Sequence, residues 1–213
     1  MKKFKANCLL LTACYLLSGC DHDYLFQRTG TNYFPLAQGN TWTYLSTHPN
    51  KLKELQDTVT LKVVDTKPFH QRSAWVIERN GFPEYWWKST QRIDKFYCET
   101  IFVNGEEDTI IACWIPWLHL PFILNERKSY SFEEEKYILK DTILTTIQID
   151  YEVIAFKSND YLIEITLIKN RKSENFGTYR ETTIYSEWHR QDVGMIKRSV
   201  NDIQEKLISY SLH

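Results

Sequence analysis

Apolar and polar residues alternate along much of this chain. The longest run covers residues 143–157, where Ile143, Thr145, Ile147, Ile149, Tyr151 and Val153 share one face and Thr146, Gln148, Asp150 and Glu152 the other. A period of two is the signature of a half-buried strand. Ser158-Asn159-Asp160 then marks a turn into Tyr161–Lys169, whose Tyr161, Ile163, Ile165 and Leu167 repeat the pattern. Val59, Leu61 and Val63 alternate with Thr60 and Lys62, and Asn80-Gly81 separates the segment holding Trp75 and Ile77 from Glu84-Tyr85-Trp86-Trp87. Met195–Val200 and Ile203–Leu212 flank Asn201-Asp202, a hairpin signal. Helical periodicity is scarce. Its best candidate is Glu126–Tyr137, where Ser129, Tyr130 and Phe132 fit a strand equally well.

The pattern predicts eight to eleven antiparallel strands in an all-β domain spanning residues 33–213, with no linker inside it. So many strands laid flat would leave exposed edges, so a curved sheet is expected, closing into a half-barrel, a barrel or a sandwich. Evenly spaced hairpins favour up-and-down order.

The first twenty residues differ in kind. Lys2, Lys3 and Lys5 precede a ten-residue apolar run from Cys8 to Leu17, followed by Ser18-Gly19-Cys20. The run is too short to span a bilayer and has the layout of a secretory signal. Leu17-Ser18-Gly19-Cys20 resembles the lipobox of bacterial lipoproteins, which implies cleavage after residue 19 and diacylglycerol and palmitate on Cys20. Residues 20–32 then form a polar tether, and the partner implied is a membrane of the cell envelope. Asp21 resembles an inner-membrane retention signal, whereas an acidic start such as Asp21-His22-Asp23 also accompanies surface export.

Without residues 1–19 the chain has 23 basic and 27 acidic residues, a formal charge of −4. No clustered basic surface suggests a nucleic-acid partner. Cys98 and Cys113 are the thiols left after Cys20. If residues 104–107 form the loop between their segments, Cys98 faces Cys113 and a disulfide is expected. A two-residue Asn104-Gly105 turn places Cys98 opposite Ile111 instead.

A second resemblance runs from Tyr33-Phe34-Pro35-Leu36 through Gly39-Asn40-Thr41-Trp42-Thr43-Tyr44. It is similar to the F-P-L-x-x-G-N-x-W-x-Y opening of a group of uncharacterised bacterial lipoproteins. Asp192-Val193-Gly194-Met195-Ile196-Lys197 resembles the x-V-G-x-V-K segment that closes the same domain type. Leu120-Pro121-Phe122-Ile123-Leu124 resembles a middle element of that group, departing from it at Asn125, where a glycine is expected. The resemblance implies a curved sheet, loosely similar to periplasmic lipoprotein carriers, and no activity. Folding roles account for these residues: Gly39 and Asn40 permit a turn, and Trp42 and Tyr44 point to one face.

Candidate chemistry is sparse. The histidines at 22, 48, 70, 119, 189 and 213 lack metal-ligand spacing, and no H-E-x-x-H, C-x-x-C, G-x-S-x-G or phosphate-cradling loop occurs. No cofactor is expected. His189 follows Trp188 on a strand-like segment and can meet Glu187 or another acid in space. The segment from Cys113 to Leu124 is densely apolar and carries Pro116 and Pro121. It is expected either to pack as core or to form a lid or rim, with Trp114, Trp117, Leu118 and Phe122 as candidate ligand-binding residues. The function classes left open are a carrier of a hydrophobic ligand or lipid, an envelope scaffold docking a partner protein, and a hydrolase whose site assembles only in space.

Overall fold

Twelve antiparallel strands carry the alternation in the computed structural model, which describes residues 33–48, 55–103, 105–138, 140–175 and 177–213. The signal segment, Cys20 and the tether lie outside the described residues. The first half of the chain contributes β1 (Thr41–His48), β2 (Leu55–Phe69), β3 (Arg72–Arg79), β4 (Phe82–Lys88), β5 (Arg92–Val103) and β6 (Glu106–His119). The second half contributes β7 (Arg127–Ile138), β8 (Asp141–Lys157), β9 (Asp160–Ser173), β10 (Gly177–Arg190), β11 (Gly194–Val200) and β12 (Ile203–Ser211). The count exceeds the expected eight to eleven. Glu126–Tyr137, the best helical candidate, is strand β7, with exposure alternating residue by residue.

The strands form one sheet in the order β6-β5-β4-β3-β2-β1-β12-β11-β10-β9-β8-β7. This is up-and-down order, joined in the middle by the first and last strands and nearly closed into a barrel at β6 and β7. Side chains bridge that seam. The Ala112 N–H donates to Glu134 Oε2 at 3.2 Å, Tyr130 Oη lies 3.0 Å from His119 Nε2, and Ile110 packs with Ile138 and Ile143. Pro116 sits inside β6, which lies at the edge of the sheet. An edge strand tolerates the missing N–H, because one of its sides has no ladder to complete.

Turn residues behave as their chemistry predicts. Asn80 and Gly81 have φ of 51° and 84°, and Ser158 and Asn159 have 54° and 68°, the positive values that two-residue hairpin turns require. One pole of the barrel is plugged by the segment Tyr33 to Asn40. Phe34 is buried against Trp42 and Trp86, with ring centroids 5.1 and 4.8 Å away. Asn40 Nδ2 donates to the Pro35 carbonyl at 2.7 Å, and its Oδ1 accepts from the His213 N–H at 2.8 Å, tying both ends of the fold together.

The two segments singled out by resemblance meet here. Trp42 Nε1 donates to the Val193 carbonyl at 2.6 Å and Tyr44 Oη to the Met195 carbonyl at 3.0 Å. Gly194, at φ 98°, lets the chain turn where a Cβ would stand 3.4 Å from the Phe34 ring and 3.5 Å from Trp42 Nε1.

The disulfide expectation is corrected. Val103 pairs with Glu106, and a bulge between Glu99 and Thr100 then shifts the ladder by one residue. Cys98 therefore faces Ala112 and Cys113 faces Tyr97, so the two thiols lie on opposite faces of the sheet and are free. Burial, helped by Glu134 and Cys98, pushes the Cys113 thiol up to about 11, away from thiolate reactivity.

Candidate functional site

Strand β4 is paired along its length with β3 from Arg79↔Phe82 to Trp75↔Trp86, but with β5 only from Trp86↔Lys95 to Lys88↔Ile93. Beyond that point Pro83, which has no N–H to offer, and its neighbours stand apart from Phe96, Tyr97 and Cys98. The wall splits there. Through the gap runs a cavity of about 610 Å³, with Tyr85 and Phe96 at its outer side and Trp86, Trp117 and Tyr185 inside.

Alternation explains how charged groups reach the interior. Ile77 and Ile93 point inward, so Arg79 and Lys95, two residues further along each strand, do so as well. The Lys95 ammonium lies 4.3 Å from the Trp86 ring centroid and 4.0 Å from that of Trp117, held between two indole faces. Burial pulls its pKa down to about 8 against the opposing pull of Glu187 and Glu84. Glu84 accepts from Trp86 Nε1 at 3.0 Å. Arg79 is paired with Glu205. The Trp117 ring meets Tyr185 edge-on at 4.8 Å, and the Arg198 guanidinium lies over Tyr185 at 5.0 Å.

Below the cavity, Glu187 and His189 come together as their shared strand face allows, with Nε2 2.9 Å from Oε2 and both side chains almost fully buried. Arg198 Nε stands 3.8 Å from Glu187 Oε1. Burial raises the Glu187 pKa, but the His189 hydrogen bond and the charges of Lys95, His189 and Arg198 outweigh it and hold the carboxyl down at about 2. His189 Nδ1 has no hydrogen-bond partner among the described groups, so the pair is not coupled to a hydroxyl or thiol nucleophile. Among the described residues no three His, Cys, Asp or Glu side chains converge on a metal position. Trp117 Nε1 inside the barrel likewise has no hydrogen-bond partner among the described groups, and Arg198 Nε has none beyond its 3.8 Å ion pair with Glu187.

No protein-family model matches the chain, and no curated protein does. It is similar to two solved structures. One is a lipoprotein from Parabacteroides distasonis, at 14% identity and a TM-score of 0.43, covering 85% of this chain and 99% of that one. The other is an exported protein with a YmcC-like fold from Bacteroides fragilis, at 10% identity and a TM-score of 0.40, covering 85% and 100%. At those values nothing about function rests on either.

The four candidate binding residues are dispersed. Trp117 is buried and lines the cavity. Leu118 is buried core, and Phe122 packs in the plugged pole against Tyr33 at 4.4 Å and Tyr161 at 5.4 Å. Trp114 faces outward. Its Nε1 donates to the His70 carbonyl at 3.2 Å, and its ring joins Phe69 and Phe96 under Arg72, which pairs with the buried Asp94 at 2.5 Å. Lys95, Arg79, Arg198 and Trp86 were not singled out from sequence. The available signal was a charged residue at the inward parity of an otherwise apolar strand face.

Proposed function

We propose that this protein is a membrane-anchored lipoprotein of the bacterial cell envelope whose barrel interior holds an amphipathic ligand, with an apolar body and an acceptor-bearing, anionic head. The observation that carries the reading is a cation between two indoles, Lys95, beside a buried indole N–H, Trp117, that has no hydrogen-bond partner among the described groups. A buried unsatisfied donor costs about 1–3 kcal/mol, and a ligand oxygen would offset that cost. The aromatic wall supplies apolar area, and the split between β4 and β5 supplies a way in.

The probe of choice is 1-anilinonaphthalene-8-sulfonate, an aromatic monoanion. Lys95→Met is expected to weaken its binding about 10-fold or more, and Trp117→Phe, which keeps a ring and deletes the N–H, about 3- to 10-fold. Binding to the unaltered protein should fall as pH rises through about 8, where Lys95 loses its charge. Equal affinity in all three proteins would remove the reading. A second reading, docking of an envelope protein, has its own observation in the outward aromatic group around Trp114. It gains if Trp114→Ala abolishes co-purification of a partner and the probe does not bind.

The anchor rests on the charged start, the apolar run and the lipobox-like Leu17–Cys20. Cys20→Ser is expected to abolish labelling by radioactive palmitate and to release the protein from the membrane fraction. Unchanged labelling would place the lipid elsewhere.

A further inference from the structure

The plugged pole carries a patch of exposed apolar residues close to Tyr33, the first described residue. Ile123 and Leu124 on the β6–β7 loop are 57% and 48% exposed, and Ile154 and Phe156 at the end of β8 are 40% and 51% exposed. The two elements are bound side by side. Asn125 N–H donates to the Val153 carbonyl at 2.9 Å, and Val153 N–H donates to the Glu126 carbonyl at 3.0 Å. Phe156 packs on Tyr161 at 4.5 Å, and Tyr161 packs edge-on against Tyr33, the first described residue, at 5.5 Å. The patch thus reaches the first described residue of the chain.

We propose that this patch is a membrane-contacting surface, whose Ile123, Leu124, Ile154 and Phe156 dip into the interfacial layer of a phospholipid bilayer. The proposal rests on the lipid-anchor reading for its physiological setting. Twelve residues separate Cys20 from Tyr33, and a chain of that length spans at most about 40 Å, so acyl chains on Cys20 favour this pole, where Tyr33 lies, as the one beside the membrane. Aliphatic and aromatic tips held rigidly on a hairpin and a bonded loop enter an interface without an ordering cost, and contiguous exposed apolar area is the kind of surface that seeks such a partner. The opposite pole also exposes Phe82, Phe102, Tyr137 and Tyr179, each on a separate hairpin, which makes it an internal control.

The test uses vesicles of phosphatidylethanolamine and phosphatidylglycerol doped with a phosphatidylcholine carrying a diazirine in its acyl chain. The full chain is reconstituted in two forms: natively processed, and as Cys20→Ser held by an N-terminal hexahistidine tag on nickel-chelating lipid. After photolysis, mass spectrometry is expected to find lipid adducts at residues 123–124 and 154–156 in both forms. Ile123→Ser, Leu124→Ser and Phe156→Ser together should reduce those adducts about 10-fold. If the anchor reading alone is wrong, the native form fails to float with vesicles while the tagged form still shows the adducts. Adducts confined to residues before Tyr33, or to the opposite pole, overturn the proposal.

Discussion

Glu187→Ala is expected to destabilise the fold by about 3–5 kcal/mol, because it removes a buried carboxylate that faces three cationic or donor groups in the interior. His189 Nε2, 2.9 Å away, loses its partner, Arg198 loses its 3.8 Å neighbour, and Lys95 loses the larger of the two carboxylate influences that favour its charge. Urea unfolding followed by far-ultraviolet circular dichroism measures the loss as a lower midpoint. The effect has a pH signature. The Glu187 pKa is depressed in the folded state, so its carboxylate contributes stability that is fully present above its ordinary value of 4.5 and is lost as pH falls towards about 2. The gap between the two proteins should therefore be full at neutral pH and narrow below pH 4.5. A gap under 1 kcal/mol at neutral pH, or one that widens in acid, would mean that Glu187 does not balance the interior charge.

Trp42→Ala should cost a comparable 3–5 kcal/mol, through a different mechanism. Its side chain is fully buried, packed against the tilted Phe34 ring, and its indole N–H satisfies the Val193 carbonyl at 2.6 Å. Truncation opens a cavity beneath the plug and strands that acceptor. The two losses separate in Trp42→Phe, which restores most of the ring and leaves the carbonyl unpaired, and is expected to cost about 1–3 kcal/mol. Because Trp42 joins the opening of the domain to residues 193–195 near its end, the loss should appear as one cooperative transition at a lower urea midpoint. Trp42→Ala within 1 kcal/mol of the unaltered protein would show that the plug does not hold the two segments together.

The strands were legible because their signal is local. Ile143 to Val153 announces a strand by its own alternation, and Ser158-Asn159 announces the turn after it by residue chemistry alone. Segment 126–137 was less clear, since it packs its inward face only partly, so Ser129, Tyr130 and Phe132 stand among carboxylates without a clean apolar stripe. The Cys98–Cys113 register failed because Val103 pairs with Glu106 and not with Asp108. The bulge at Glu99 and Thr100, which nothing in Glu-Thr marks, recovers only one of those two residues and leaves Cys98 opposite Ala112.

The candidate site shows the same division. Glu187 and His189, two apart on one strand, were readable as neighbours. Lys95 was not, because its cage comes from β4 and β6 and its carboxylates from β4 and β10, and sequence distance conceals such gatherings. By itself the amino-acid sequence determined the all-β character, the up-and-down order, the main hairpin turns and the inward side of most strands, all of which follow from a two-residue period and turn chemistry. Tertiary structure alone decided that β1 pairs with β12, that the seam falls between β6 and β7, that the wall splits beside Pro83, and that Lys95 meets two indoles. Those outcomes depend on pairing between distant strands and on summed burial and charge, which no local pattern encodes.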